Sequence, residues 1–389
     1  MTPKRARIDL DALVQNWRTL CRLLTEQEPT ARPIAVVKAD AYGHGAPQCV
    51  QALLEAGCVF FAVSCIEEAL AVRQVTREAN QHADVLILGY TPLSQASVLA
   101  KEDLIQSLSS NAYALALADE AKKQGVCIRT HVALNTGMNR IGFESTDGES
   151  IAKTVLEIES LCNRSSLCIE GIYTHFATAD GESDFERSFF DTQATCFLEC
   201  CNALEARGVH IPYRHACNTS ATVCHPELHL DFVRVGILLF GAADHPKAPE
   251  LSPVMRLEAD VVHVHRLKKG ESVGYGATYT AQKATDVAVL PIGYADGWMR
   301  AMGGAEITLT TKSGAHRVPI IGRICMDQCM IDVTGTDAAV GDTAILFGDA
   351  PNQLSALSAH ADTIPYEILC LVSSRVTRSY EFTTHKETI

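Results

Sequence analysis

The stretch "AVVKADAYGHG", residues 35–45, ends an apolar, β-type run on a lysine, Lys38, and turns at once through Asp40, Tyr42, Gly43, His44 and Gly45. Seven more apolar, β-rich runs follow it: "VFFAVS" (59–64), "VLILGY" (85–90), "LIQSLS" (104–109), "RTHVALN" (129–135), "IEGIYTHF" (169–176), "YRHACN" (213–218) and "FVRVGILLFG" (232–241). With "IAVVKA" (34–39) they make eight. Segments between them, such as "APQCVQALLEAG" and "NAYALALADEAKKQG", carry apolar residues at helical spacing, and Gly125 is a suitable helix stop. Strands alternating with helices imply a parallel sheet. Eight units in roughly 240 residues fit a closed (β/α)8 barrel better than an open doubly wound sheet, and no G-x-G-x-x-G follows the first strand.

The texture changes after about residue 245. "HPKAPELSP" is Pro-rich and polar and reads as a linker. Beyond it lie short alternating runs with turn signals, among them "RLEADVVHVHRL", "DVAVLPIGY", "AEITLTT", "AHRVPI", "CMIDV" and "TAILFG". The expected fold is therefore an α/β TIM-type barrel over residues 1–245 followed by a mostly β domain over 246–389, with residues 1–9 a candidate to pair with the second domain.

The 389 residues are 47% hydrophobic and 20% charged, enough to build a real core. A net charge of −13 with no basic cluster argues against nucleic acid as a partner. No apolar run is long enough to span a membrane and no secretory signal opens the chain, so the cytoplasm is the expected location. Fifteen cysteines are scattered without a C-x-x-C pair, including "CFLECC" (196–201) and the pair Cys325/Cys329. They read as small apolar residues in a reducing compartment, and no metal site is expected.

At the carboxyl face of a barrel, where active sites gather, Lys38 is expected to be partly desolvated, which favours its nucleophilic neutral amine. The bland alternative is a surface lysine. Other strand ends add to the functional reading: Arg140 after the fifth, His175 on the sixth, Asn218 and Thr219 after the seventh, and Arg234 within the eighth with Gly236 and Ile237 behind it. Each alone has a structural explanation. Together they form a ring at one mouth, with a Gly and a hydroxyl suited to an anion.

These motifs, "AVVKADAYGHG", "LNTGMNRIGF", "YTHFATAD", "FVRVGI", "GYGATYT", "PIGYADG" and "GRICMDQCMIDV", resemble the alanine racemase family of pyridoxal-phosphate enzymes, from "RIDLDAL" to "IPYEILCLVSSRVTR". The resemblance implies a barrel plus β domain in a head-to-tail homodimer. It implies that Lys38 carries pyridoxal 5'-phosphate, that Tyr42, Thr219, Gly236, Ile237 and Tyr366 bind its phosphate, and that His175 lies against its ring. Asn218 is assigned to the cofactor site with them. Arg234 is matched to the partner of the pyridine nitrogen. Arg donates and keeps its proton, so that nitrogen stays neutral, a weaker electron sink that disfavours side reactions.

Racemisation removes a proton from one face of Cα and returns one to the other, which two acid–base groups do directly. By resemblance they are Lys38 and Tyr275, the latter from the partner subunit. A free tyrosine titrates near pH 10, so the phenol needs help to act as a base. Met326, flanked by Cys325 and Asp327, matches a residue that holds the substrate carboxylate. Tyr294, Arg300, Arg323 and Ile364 match an access corridor. One departure stands out. Many members carry a carbamylated lysine that supports the arginine matched by Arg140, and here that position is Ala133, with Asn135 in place of the following Asp. Another anion, such as chloride, or a second carboxylate is expected beside Arg140.

The expected activity is interconversion of L- and D-alanine, supplying D-alanine to peptidoglycan. Serine racemisation, including a soluble racemase domain of a vancomycin-resistance protein, is the enzymatic alternative, weakly disfavoured by Tyr366. A decarboxylase of the same barrel type should lack Tyr275 and "CMDQCMID". A pyridoxal-phosphate homeostasis protein should lack the β domain.

Overall fold

In the computed structural model the described residues are 2–28, 30–242, 246–350 and 353–382. His245, the last residue expected in the barrel and the first of the linker, lies outside them. The chain divides into two compact units. One comprises Trp17–Ala39 and Val50–Gly236; the other comprises Met1–Asn16, Asp40–Cys49 and Ile237–Ile389.

The first unit holds eight parallel strands: Arg32–Val36, Phe60–Val63, Asp84–Ile87, Ile105–Leu108, Ile128–Asn135, Leu167–Tyr173, Tyr213–His215 and Phe232–Val235. They pair in chain order, and the eighth pairs with the first, Phe232 opposite Arg32. The seam between the seventh and eighth is carried by Asp231 N–H to the Arg214 carbonyl (3.1 Å) and Arg234 N–H to the Cys217 carbonyl (2.9 Å). The barrel is thus nearly closed, as the periodicity predicts. The strands Phe60–Val63, Ile105–Leu108 and Phe232–Val235 are buried at every position, which is why they read as continuous apolar runs rather than alternating ones. Helices such as Asn111–Lys123, capped by Ser110, bury their apolar stripes.

The second unit is a nine-stranded sheet. Its order runs from His263–Leu267 through Thr285–Leu290, Cys329–Asp332, Gly314–Ile321, Glu306–Thr311, Thr343–Phe347, Met255–Asp260 and Lys4–Asp9 to Thr377–Glu381. The N-terminal strand Lys4–Asp9 pairs antiparallel with Met255–Asp260 and parallel with Thr377–Glu381. A separate hairpin joins Ser272–Val273 to Tyr279–Thr280. No helix of the described residues is long and apolar enough to cross a membrane.

Several strands end earlier than the sequence expectation, and three of these ends move a candidate residue or its neighbours. The first barrel strand stops at Val36, and Lys38 opens a helical turn to Gly43. Its backbone is left-handed at Ala39, Asp40, Ala41 and Tyr42, with φ between 52° and 54°. That conformation costs roughly 1–2 kcal/mol for each non-glycine residue. Local bonds offset it: Ala39 N–H donates to Glu68 Oε1 (2.7 Å), Ala46 N–H to Asp40 Oδ1 (2.7 Å), and His44 Nδ1–H to the Ala41 carbonyl (2.8 Å). The eighth strand gives way to a 3-10 turn over Ile237–Phe240. The sixth ends at Tyr173, so His175 lies in the loop behind it, not on the strand.

Candidate functional site

In the barrel unit the site is built around Arg234. Its strand position points the guanidinium inward, where it is 3% exposed. Nη2 donates to the carbonyls of Thr174 (2.7 Å) and Ala216 (2.9 Å); Nη1 donates to the His215 carbonyl (3.1 Å) and to His215 Nδ1 (2.8 Å). Among the described residues none accepts a bond from Nε. Burial lowers the Arg234 pKa to about 10, still protonated at neutral pH. Its charge fixes the proton order of two buried histidines. Because Nη1 can only donate, His215 Nδ1 must accept, so His215 Nε2 carries its proton and donates to His131 Nδ1 (2.9 Å). Burial, then the charge of Arg234 or Arg129, pushes both imidazoles far below their ordinary value, His131 to about 3. The Tyr173 ring stacks on His215 at 4.8 Å and lies under the guanidinium at 5.1 Å.

The loops beyond the strand ends bring further residues to this group. His175 is pushed down to about 3 by burial and then by the charges of Arg234, Arg140 and Lys38, which puts all three cations within electrostatic reach of one imidazole. It is therefore neutral at pH 7. Lys38 is half-buried. Asn218 caps the helix Thr219–Cys224, accepting from Ala221 N–H, and its Nδ2 donates to the Phe176 carbonyl (3.1 Å). Thr219 Oγ1 accepts from Gly236 N–H (3.1 Å), joining the two residues expected to meet a phosphate.

The departure at Ala133 and Asn135 has a structural consequence. The Asn135 side chain accepts from Gly137 N–H (3.2 Å) and Asn139 N–H (2.9 Å), so it holds its own turn. Arg140 is exposed, and among the described residues no carboxylate pairs with it. A second protein carboxylate in place of the carbamate, one of the two expectations, is not found within ion-pairing distance.

The other unit carries the remaining candidates. Tyr42 is buried with its ring 5.9 Å from that of Tyr366, on the helix Pro365–Leu371, and 5.3 Å from Phe240. Ile237 begins the 3-10 turn that carries Phe240. Tyr275 is not on a strand but at the tip of the Ser272–Thr280 hairpin, 71% exposed, between Gly274 and Gly276, both at φ 73°. A Cβ on Gly276 would come within 2.9 Å of Arg323 Nη1, so the hairpin lies against that guanidinium. Met326 is 53% exposed. The turn around Tyr294 clamps its loop: Tyr294 N–H donates to the Cys325 carbonyl (3.1 Å) and Ala295 N–H to the Met326 carbonyl (3.0 Å), and a Cβ on Gly293 would strike both carbonyls. Asp327 pairs with Arg375 (2.6 Å), which also reaches the fully buried Asp296 (3.3 Å), itself paired with Lys4 (2.7 Å). Arg300 sits on the short turn Arg300–Met302, and Ile364 is exposed ahead of the Tyr366 helix.

Four residues escaped the sequence reading: His215, Glu68, Gln193 and Arg375. His215 lies within the run 213–218, and Glu68 four residues past the run 59–64. Gln193 was legible as a polar residue on the apolar stripe Phe190–Phe197–Leu204 of the helix Asp184–Ala206. Nothing local marks Arg375.

Two family models match the chain: "Alanine racemase, N-terminal domain" over residues 8–244 and "Alanine racemase, C-terminal domain" over 254–380. A curated alanine racemase of Clostridium tetani is 38% identical over 98% of this chain and 96% of its own length. The solved alanine racemase of Clostridium difficile 630 superposes with a TM-score of 0.87 at 33% identity, covering 98% of this chain and 96% of that one. The alanine racemase of Bacillus anthracis, solved with bound L-Ala-P, gives 0.84 at 30% identity, with 98% and 96% covered.

Proposed function

The chain belongs to the alanine racemase family, and on that premise we propose that it interconverts L- and D-alanine with pyridoxal phosphate. The family is pyridoxal-phosphate dependent, and the donor set of the barrel unit suits that group. Arg234 has both Nη atoms committed to carbonyls and His215, leaving Nε to face a neutral ring nitrogen. Lys38 supplies the amine for covalent attachment, the Thr219 hydroxyl and Gly236 amide suit a phosphate, and neutral His175 suits a ring face. Tyr42, Ile237, Asn218 and Tyr366 complete the proposed cofactor set. Arg140 is proposed for the cofactor's phenolic oxygen and the substrate. Pyridoxal phosphate, when bound, withdraws electrons from the substrate's Cα and so makes its proton removable.

The chain's own groups then move that proton. The Lys38 amine takes it from, or returns it to, one face of Cα. Tyr275 of the partner subunit serves the opposite face, on a hairpin that lies against the Arg323 guanidinium. The Met326 backbone, with Cys325 and Asp327, holds the substrate carboxylate. Tyr294, Arg300, Arg323 and Ile364 line the approach. A barrel domain over 1–245 whose strand Lys4–Asp9 pairs with a β domain over 246–389, in a head-to-tail cytoplasmic homodimer, is part of the same reading. The exposure of Tyr275, Met326 and Ile364 supports it, since residues meant for a partner's site stay open in a single chain.

The observation that carries the proposal is the buried, carbonyl-saturated Arg234, beside a His175 that feels the charges of Arg234, Arg140 and Lys38. The test is circular dichroism of the purified protein with pyridoxal phosphate and either enantiomer of alanine. Both solutions should decay to zero rotation, because enantiomers have equal free energy. Persistence of the starting signal from both would overturn the reading. The same assay on serine ranks the second substrate.

A further inference from the structure

Gln193 lies on the helix Asp184–Ala206, outside every residue assigned above, and is fully buried. Its carboxamide makes three bonds. Oε1 accepts from Ala177 N–H (2.9 Å); Nε2 donates to the His175 carbonyl (3.2 Å) and to Thr136 Oγ1 (3.3 Å). The bonds beyond it have a defined direction. Thr174 Oγ1 donates to the Leu134 carbonyl (3.1 Å), so Thr136 Oγ1 donates to Thr174 Oγ1 (2.7 Å) and accepts from Gln193. The Thr174 carbonyl in turn takes Arg234 Nη2 (2.7 Å). One side chain therefore ties the loop after the fifth barrel strand, which leads to Arg140, to the loop after the sixth, which carries His175.

We propose that Gln193 is a positioning residue that sets the spacing of these two loops, and with it the placement of Arg140 and His175 toward the cofactor; the second half rests on the cofactor reading above. The group needed is an amide. A carboxylate would accept from Ala177 N–H but repel the His175 carbonyl, and an apolar side chain would remove the partner of the buried Thr136 Oγ1, the His175 carbonyl and Ala177 N–H together. Burial gives no reason for Gln here, because the other buried residues of this helix are Phe, Cys and Leu.

The test uses the full chain, with and without added pyridoxal phosphate. In Gln193→Met, amide hydrogen exchange at residue 177 and across 136–142 should quicken about tenfold, while distant barrel amides stay unchanged. The dissociation constant for pyridoxal phosphate should rise by a similar factor. Measured as a ratio to the parent at the same pH, Gln193→Glu should recover both as the pH falls and the buried carboxyl takes a proton. If Gln193→Met does not fold, Thr136→Val removes one bond and should quicken exchange over 136–142 but leave residue 177 protected. Unchanged exchange overturns the proposal. Faster exchange with unchanged cofactor affinity overturns its second half. A parent protein that binds no pyridoxal phosphate would instead refute the cofactor reading, and the exchange measurements would still decide whether Gln193 holds the loops.

Discussion

The two units carry their candidate residues in opposite ways. In the barrel unit Arg234, His215 and His131 are buried, their proton positions set by hydrogen bonds within the same unit. In the β unit Tyr275, Met326 and Ile364 are 71%, 53% and 57% exposed, and only the loops beneath them are clamped. The first group is preorganised by its own chain. The second is held in place but left open, as surfaces are that function against another molecule. On the proposed function, the buried group belongs to the cofactor's side of the site, and the exposed group is the part proposed to act against a second copy.

The sharpest way to break this contrast is Lys38→Ala. It should abolish the visible absorbance of lysine-bound cofactor and lower racemisation by at least about a thousandfold, with thermal unfolding little changed because the side chain is only half-buried. Tyr275→Phe should keep the colour yet slow exchange of the Cα proton about a hundredfold or more, chiefly from one enantiomer. Equal deuterium incorporation from both enantiomers at the parent rate would sink the two-base assignment. Mixing the two inactive variants sharpens the comparison. Half of the randomly formed dimers would contain one site with both Lys38 and Tyr275 intact, so activity should return to about a quarter of the parent level. No recovery after subunit exchange would mean the two bases come from one chain.

A smaller effect tests the closed character of the barrel unit. His131 is fully buried with its pKa lowered to about 3, so between that value and 6.5 the unfolded chain binds a proton that the native state refuses. Stability must therefore rise with pH across this window and fall as the pH drops below about 6.5. Denaturant titrations at pH 7 and pH 5 should differ by about 2 kcal/mol at most from this residue, and His131→Gln should shrink the difference.

Much of the barrel was readable because burial on both faces leaves a continuous apolar run, and helices between such runs show a 3.6-residue stripe. All eight runs became barrel strands in the expected order. Their ends were read too long at Lys38 and at Gly236–Gly241, since an apolar run does not reveal where the backbone leaves the extended region. Tyr275 stands at a hairpin tip because Gly274 and Gly276 on either side of it take positive φ, a conformation that alternation alone does not reveal. Arg140 looked in need of an anion, and Asn135 proved to be spent on its own turn.

By itself the sequence determined the alternation of strands and helices, the change to a β domain, and which chemically capable residues stand at the strand ends. These are properties of short windows, written in periodicity and turn chemistry. Only the tertiary structure decided the left-handed turn after Lys38, the direction of the protons through His215 and His131, and the use of Gln193 as a tie between loops. Each depends on partners far along the chain, such as Thr136 for Gln193 or Glu68 for Ala39. A hydrogen bond between remote residues leaves no periodic trace in either segment.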